Sequence, residues 1–265
     1  MRQIRTKQDF SMITTDKPAK RLLTSVAYRA GRSRGKISVR HKGGRVKRRY
    51  RLIDFSGDQY VGISGVVRSI EYDPYRSARI ALIVYRNGAS VYMVAPQGLD
   101  VGSEVLTDRK SLPLKAGMRM PLEFIPSGTL VHNIQLIPGR PASIVRSAGT
   151  TAQVLAPQGS WVQVKLPSSE IRLFPRGSLA SIGQVSNPEH GNITWSKAGR
   201  VRKRGIRPSV RGVAMSPYAH PHGGGEGRTG EGRIPKTPWG KPARGVKTRK
   251  KKKTSNKLIV QRRRK

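Results

Sequence analysis

Positive charge is concentrated at the two ends of this 265-residue chain. Residues 1–51 hold 17 Lys and Arg against 2 acids, residues 197–265 hold 23 against 2, and residues 52–196 hold 13 against 10. Like charges at this density repel one another and cannot be buried in a core, so only the near-neutral middle can fold around one. The two basic arms require a dense polyanion as partner, and nucleic acid is the natural one.

The middle segment has 145 residues, enough for one domain or two small ones. Hydrophobic residues make up 35% of the chain, with 29 glycines and 18 prolines, a composition that favours short strands and turns over long helices. Strands are predicted over residues 60–70, 78–85, 90–95, 120–124, 131–137, 151–156, 160–166, 170–174 and 178–185, with turns at glycines 88, 98, 128, 139, 159 and 177.

The clearest strand pattern is the alternation in residues 161–166, where Val162, Val164 and Leu166 share one face and Trp161 lies on the other. Short strands at this spacing predict an all-β body closed into barrels, which leave no exposed sheet edge. A break near residues 127–129 would divide the body into two barrels of similar size. The predicted domains are a basic extension at 1–51, barrels at 52–128 and 129–196, and a basic extension at 197–265.

The amino-terminal arm interleaves glycine with arginine and lysine over residues 31–54. Glycine lets the backbone approach a phosphate closely, and guanidinium groups bridge phosphates or stack on bases, whereas lysine acts as a point charge. A solvated basic tail without a fixed partner is the alternative explanation of such a run. The regular spacing of glycine and arginine counts against that alternative.

The carboxy-terminal arm contains the most unusual string of the chain, RGVAMSPYAHPHGGGEGR at residues 211–228. A zinc site at His220 and His222 would lack ligands, because the chain has no cysteine and Glu226 lies beyond three glycines. A phosphate-binding loop would need a preceding strand, a following helix and a Gly-Lys-Ser/Thr close. A general base at His220 would need an orienting acid and a pocket. The remaining interpretation is a segment that threads between RNA helices.

The string at residues 211–228 closely resembles the signature of the L2 family of large-subunit ribosomal proteins. The resemblance continues in order through nearly the whole chain. Its landmarks are RHKGG at 40–44, YRLIDF at 50–55, IEYDP at 70–74, HNI at 132–134, RSAG at 146–149, EIRL at 170–173, IGQVSN at 182–187, KAGR at 197–200, GIRP at 205–208 and PWG at 238–240.

The resemblance implies an OB-fold-like barrel followed by an SH3-like barrel, with long basic extensions that enter ribosomal RNA. It implies a structural, non-enzymatic constituent of the large ribosomal subunit that organises the region around the peptidyl-transferase centre and supports subunit association. The implied partners are large-subunit ribosomal RNA, neighbouring ribosomal proteins and the small-subunit interface, in a bacterial cytoplasm or in the matrix or stroma of an organelle. No cofactor or metal is expected, apart from structural magnesium shared with RNA.

The chain departs from the family pattern at three places. Ala219 stands where the family has an Asp before the first histidine of the signature, so His220 lacks an adjacent carboxylate, and Ser216 replaces an Asn. Residues 43–46 read GGRV where the family has three glycines and a histidine, and Arg45 is expected to replace a lost contact.

Arginine and lysine of both arms are predicted to contact phosphates, and the arm glycines to allow close approach. Trp195 and Trp239 are predicted to stack on bases because they lie where no core is expected, whereas Trp161 covers a barrel. No catalytic or metal-binding residue is predicted. The predicted RNA-binding residues are Arg32, Arg34, Arg40, His41, Lys42, Gly43, Gly44, Arg45, Lys47, Arg48, Arg49, Arg51, Lys197, Arg200, Arg202, Lys203, Arg204, Arg207, Arg211, His220, His222, Gly223, Gly224, Gly225, Arg228, Trp239, Arg249, Lys250, Arg262 and Arg263.

Two other classes of function stay open at this point, an enzyme centred on His220 and a general DNA-binding protein. The glycine-rich arms predict a preference for irregular RNA grooves over a uniform duplex. For about ten phosphates neutralised, log K for binding would fall by roughly seven to nine units per tenfold rise in salt. Both arms are expected to take their shape only on RNA. The longest apolar run, residues 80–85, is too short to cross a membrane, and no membrane partner is expected.

Overall fold

The computed structural model describes residues 10–263. Residues 1–9 and 264–265 of the two predicted extensions lie outside the described residues. The chain divides into two compact units. We call residues 10–27, 47–195 and 257–263 the barrel unit, and residues 28–46 and 196–256 the arm unit.

Short strands dominate the described chain, and α1 at Ala198–Lys203 is the one α-helix in it. The strands are β1 Leu23–Ser25, β2 Arg32–Ser33, β3 Lys36–Ile37, β4 Arg49–Arg51, β5 Gly65–Glu71, β6 Ile80–Tyr85, β7 Ser90–Val94, β8 Glu104–Thr107, β9 Met118–Pro121, β10 Leu130–His132, β11 Ala152–Gln158, β12 Trp161–Lys165, β13 Ile171–Pro175, β14 Leu179–Ile182 and β15 Ile259–Gln261. Short 3-10 helices cover Lys20–Leu22, Asp58–Tyr60, Leu122–Phe124, Pro188–Asn192, Gly212–Ala214 and Thr254–Asn256.

Eleven strands of the barrel unit form one hydrogen-bonded sheet in the order β15-β13-β12-β11-β10-β14-β9-β8-β5-β6-β7. Every neighbouring pair is antiparallel except β8 and β9, which run parallel. β1 and β4 form a separate antiparallel pair, with Thr24 opposite Tyr50. The predicted all-β class, an OB-fold-like barrel followed by an SH3-like barrel, is confirmed.

The two largest hydrophobic clusters of the barrel unit are formed by side chains of this sheet and of its loops. The first is built on β5 to β8 and contains Val67, Ile83 and Val105, each at most 2% exposed. The second is built on β9 to β14 and is centred on Phe174. It also takes in Met120, which precedes the predicted break near residue 128. The domain boundary after residue 128 therefore stays a prediction.

The alternation predicted for residues 161–166 is confirmed in β12. Val162 and Val164 are buried, whereas Trp161 on the opposite face is 36% exposed. Strand β8 was not predicted, because four residues with one glutamate carry too little pattern.

A buried polar network joins Ala19 to Tyr92, which forms a further hydrophobic cluster with Ile80 and Leu82. The Tyr92 hydroxyl donates to a Glu71 carboxylate oxygen at 2.6 Å and accepts the backbone N–H of Ala19 at 2.8 Å. Burial, followed by the hydrogen bond to Glu71, raises the pKa of Tyr92. The Ser69 hydroxyl donates to the other Glu71 oxygen at 3.0 Å. Ala19, counted with the amino-terminal extension in the sequence, is thus part of the barrel unit.

The arm unit is built on turns and contains no hydrophobic core. Of its 80 residues, all of them described, only Gly43, Gly205, His220 and His222 are buried. β2 and β3 form a two-residue hairpin, and α1 is a helix of six residues. Backbone hydrogen bonds and close glycine contacts, rather than apolar burial, hold these residues together.

Candidate nucleic-acid interface

The arm unit joins segments from both basic ends of the chain. The Gly43 N–H donates to the Gly205 carbonyl at 2.9 Å, and the Arg207 N–H donates to the His41 carbonyl at 3.0 Å. Backbone hydrogen bonds therefore join two basic segments that are far apart in the sequence. We call this junction the seam. The charges of the two segments add, and residues 28–46 and 196–256 together hold 25 Lys and Arg against 2 acids, a net charge of +23.

Glycine is required where the two segments touch. A Cβ on Gly205, whose φ is +92°, would lie 2.8 Å from the Tyr28 hydroxyl and 2.9 Å from the Arg45 Cβ. The Arg45 guanidinium lies over the Tyr28 ring, 4.2 Å from its centroid. Arg45, one of the departures from the family pattern, thus packs on an aromatic ring of its own unit as a cation–π pair.

The predicted RNA-binding residues are distributed over both units. Lys47, Arg48, Arg49 and Arg51 lie on or beside β4 of the barrel unit, and Arg262 and Arg263 follow β15. All the others belong to the arm unit, where they come from both ends of the chain. The structure brings together Arg32, Arg34, Arg40, His41, Lys42, Gly43, Gly44, Arg45, Lys197, Arg200, Arg202, Lys203, Arg204, Arg207, Arg211, His220, His222, Gly223, Gly224, Gly225, Arg228, Trp239, Arg249 and Lys250 in that one unit.

His222 belongs to the signature loop, as we call residues 211–228, and its hydrogen bonds join this loop to the segment that follows it. Its Nε2 accepts the backbone N–H of Lys236 at 2.8 Å. Its Nδ1 therefore carries the proton and donates to the Glu231 carbonyl at 3.2 Å. With 7% of its surface exposed and both ring nitrogens bonded to backbone, His222 holds the loop, and its contact with RNA stays a prediction.

His220 is held in a similar way. Its Nδ1 accepts the backbone N–H of His222 at 3.0 Å, and its ring lies against Gly212, where a Cβ would come within 2.5 Å of the imidazole. The two imidazole rings are 5.0 Å apart between centroids. Among residues 10–263 no group of three or more His, Cys, Asp or Glu side chains is arranged to hold a metal ion.

The three consecutive glycines serve the packing of the chain on itself. A Cβ on Gly223 would lie 2.4 Å from the Ser216 carbonyl oxygen. Gly224 and Gly225 have φ of +90° and +98°, in the left-handed region that side chains rarely adopt. The close approach predicted for these glycines is made to residues 215–217 and 229 of the same loop.

A closed loop presents the lysines near residue 250. The Asn256 Oδ1 accepts the Arg249 Nε–H at 2.6 Å, while its Nδ2 donates to the carbonyls of Lys250 at 3.2 Å and Lys251 at 2.6 Å. The side chains of residues 249–253 are exposed around this ring. The sequence predicted the cations but not Asn256, because its role depends on hydrogen bonds that only the folded loop makes.

The barrel unit adds a depression that the sequence did not predict. Tyr50, Phe55, Tyr75, Arg76 and Arg146 line a cavity of about 420 Å³. The guanidinium carbons of the two arginines lie over the Phe55 ring, 5.4 Å and 4.6 Å from its centroid, and the two tyrosine rings meet edge to face at 5.2 Å. Arg146 is exposed, whereas Arg76 is half-buried and its Nε–H donates to the Asp73 carboxylate. An exposed guanidinium over an aromatic ring, as at Arg146, suits phosphates and stacked bases. Residues 50–55 and 146–149, which contribute to this depression, carried a signal only as family landmarks, because their meeting requires the fold.

An all-β body joined to a +23 unit, with arginine and aromatic side chains exposed on both, defines a protein that binds RNA. Two family matches agree with this class. Residues 19–107 match the RNA binding N-terminal domain of ribosomal proteins L2, and residues 115–240 match the C-terminal domain of ribosomal proteins L2. The chain belongs to the ribosomal protein L2 family, a family of structural proteins of the large ribosomal subunit.

Among residues 10–263 no helix has both the length and the apolar character needed to span a lipid bilayer.

Proposed function

We propose that this protein organises ribosomal RNA around the peptidyl-transferase centre and supports association with the small subunit, without catalysing a reaction. The observation that carries the proposal is the arm unit, in which both ends of the chain form one +23 structure without a hydrophobic core. Such a unit suits a narrow space lined with phosphates, since RNA supplies the countercharge that its own side chains lack. Neighbouring ribosomal proteins would contact the less charged barrel unit.

The proposed RNA contacts are the arginines and lysines predicted above, together with the Phe55 depression of the barrel unit. His222 and the glycines 223–225 shape the loop that carries the cations. Structural magnesium is part of the proposal only as an ion held by RNA phosphates, because a surface of this charge repels free cations.

Crosslinking of the assembled large subunit, mapped to nucleotides and amino acids, tests the proposed location. We expect residues 197–256 to crosslink to RNA that surrounds the peptidyl-transferase centre. Crosslinks confined to the barrel unit, or to RNA remote from that centre, would contradict it.

Binding of the full chain to structured RNA and to duplex DNA at matched salt separates this proposal from a general DNA-binding role, because we expect the RNA to bind more tightly.

The absence of catalysis has its own test. In both histidines of the signature loop, a ring nitrogen accepts a hydrogen bond from a backbone N–H group, which supports a structural role. We expect the isolated protein to show no turnover with peptidyl-transfer substrates. Turnover that disappears in His220→Ala would overturn this part of the proposal.

A further inference from the structure

The arm unit carries an open groove whose walls are unusual for so basic a surface. Ile37, Val39, Arg40 and His41 form one side, and Pro238 and Trp239 lie on the other, around a volume of about 810 Å³. Trp239 is 73% exposed and Ile37 63% exposed. An indole and two β-branched side chains left in water beside cations mark a binding surface.

Backbone hydrogen bonds within the arm unit hold the first wall. The backbone N–H groups of Ser38 and Val39 both donate to the Gly31 carbonyl at 2.9 Å, which closes the loop that follows β3. The next residues are held by the bond from the Arg207 N–H to the His41 carbonyl. Ile37 of β3 and the following Val39 and Arg40 are therefore presented from a hairpin whose ends are tied together.

The second wall is fixed by a turn and by His222. The Thr237 N–H donates to the Lys241 carbonyl at 2.7 Å, and the Gly240 N–H donates to the Thr237 carbonyl at 2.9 Å, so the turn places Trp239 at its tip. His222 holds the residue before this turn through the Lys236 N–H. Hydrogen bonds within the arm unit therefore hold both walls of the groove.

Charge and ring chemistry together identify the occupant. The unit bears +23 and Arg40 lines the groove, so an anionic ligand is favoured. The apolar faces require a flat, stackable group in the same ligand. A nucleotide has both, but a base paired inside an RNA helix cannot reach an indole, so the nucleotide must be unpaired.

We propose that this groove binds one unpaired nucleotide of RNA, with its base stacked on Trp239 and its phosphate at Arg40. This inference rests on the proposed function, since it requires that the arm unit contact RNA. It adds a base-stacking site to what would otherwise be a purely electrostatic interface.

The test uses the full-length protein and two RNA hairpins with the same stem, one fully paired and one with a single bulged nucleotide. Loss of one base stack should weaken binding of Trp239→Ala to the bulged hairpin about tenfold or more, with little change for the paired hairpin. Trp239→Phe keeps an aromatic ring and should recover most of the affinity. The matched control is Ile234→Ala, which removes an apolar side chain of the same unit that is 72% exposed and does not line the groove, and it should change neither affinity.

A second measurement reports stacking directly. In the full chain carrying Trp161→Phe and Trp195→Phe, Trp239 is the remaining tryptophan, and its fluorescence should be quenched by the bulged hairpin and much less by the paired one. Equal loss of affinity for both hairpins in Trp239→Ala, or unchanged affinity for the bulged one, would overturn the inference while RNA binding itself stands. Failure of the unmodified protein to bind either hairpin would instead overturn the proposed function, and this inference with it. A crosslink from Trp239 to another polypeptide, rather than to a nucleotide, in the assembled subunit would also overturn the inference.

Discussion

His132 is a buried histidine whose environment favours the neutral ring. The side chain is 0% exposed, and Nδ1 donates to the Gly183 carbonyl at 3.1 Å, while no partner among the described residues faces Nε2. Burial lowers the pKa of His132 to about 4, and the Arg119 guanidinium acts in the same direction, whereas the bond to Gly183 opposes them.

This histidine makes the stability of the barrel unit depend on pH. The pKa is about 4 in the folded state and about 6.5 in the unfolded chain, so the unfolded chain binds more protons between these values. Stability is therefore full above about pH 6.5 and is lost as the pH falls to about 4, by roughly 3 kcal/mol in total. Denaturant unfolding of the full chain between pH 4 and 7 should show this loss in the wild type and a correspondingly smaller one in His132→Leu.

The control for this prediction is His41→Leu, since His41 is exposed and its removal should leave the pH dependence unchanged. If His132→Leu lost as much stability on acidification as the wild type, the buried neutral ring would not be the cause.

The path of the signature loop depends on Gly223, because a residue with a Cβ would not fit at this position. In Gly223→Ala the new Cβ would meet the backbone carbonyl oxygens of Ser216 and Met215, so the loop must move. We expect RNA affinity to fall about tenfold, within the ~1–3 kcal/mol range of overpacking. Gly230→Ala, which meets nothing within 4 Å and has no positive φ, should bind as the wild type does in the same titration. Equal affinities for the two variants would contradict the prediction.

Strand β13 stabilises the second hydrophobic cluster through Phe174. This ring is fully buried, with Val162 of β12 opposite it in the register. Phe174→Ala would leave a cavity and should reduce the free energy of unfolding by about 3–5 kcal/mol. Phe124→Ala removes the same ring from a site that is 41% exposed and should cost well under half as much. Urea unfolding followed by tryptophan fluorescence compares the two, and similar losses would show that the cluster is not what stabilises this sheet.

The whole molecule combines a barrel unit with a hydrophobic interior and an arm unit without one. An 80-residue structure at +23 that buries no apolar side chain gains little from the hydrophobic effect, so countercharge must supply its stability. We therefore retain the prediction that the arm unit takes its final shape on RNA.

The salt dependence of RNA binding measures how the phosphate contacts are divided between the arm unit and the barrel unit. Replacing the four lysines 250–253 by glutamine removes exposed cations from the arm unit, and each lost phosphate contact lowers the slope of log K against log salt by about 0.7–0.9. We expect the slope to fall by up to about 3 units. Lys110→Gln with Lys115→Gln removes two exposed cations of the barrel unit and should change it little. An equal change per charge in the two variants would contradict an interface centred on the arm unit.

The class of the fold, the strands with strong alternation and the segregation of charge could be predicted from the sequence alone. These features are local, since period-two burial and the pairing of glycine with turns depend on neighbouring residues. They predicted β12 and its buried face. The family landmarks added the identity of the two barrels.

Tertiary structure alone decided which distant residues meet. The seam between Gly43 and Gly205, the Arg76 and Arg146 pair over Phe55, and the two ring bonds of His222 join segments with no shared local pattern. Hydrogen bonds and ring contacts of this kind depend on distances of a few ångströms, which composition and periodicity do not encode. For that reason the sequence predicted two separate basic arms, and only the folded chain showed one unit with a groove.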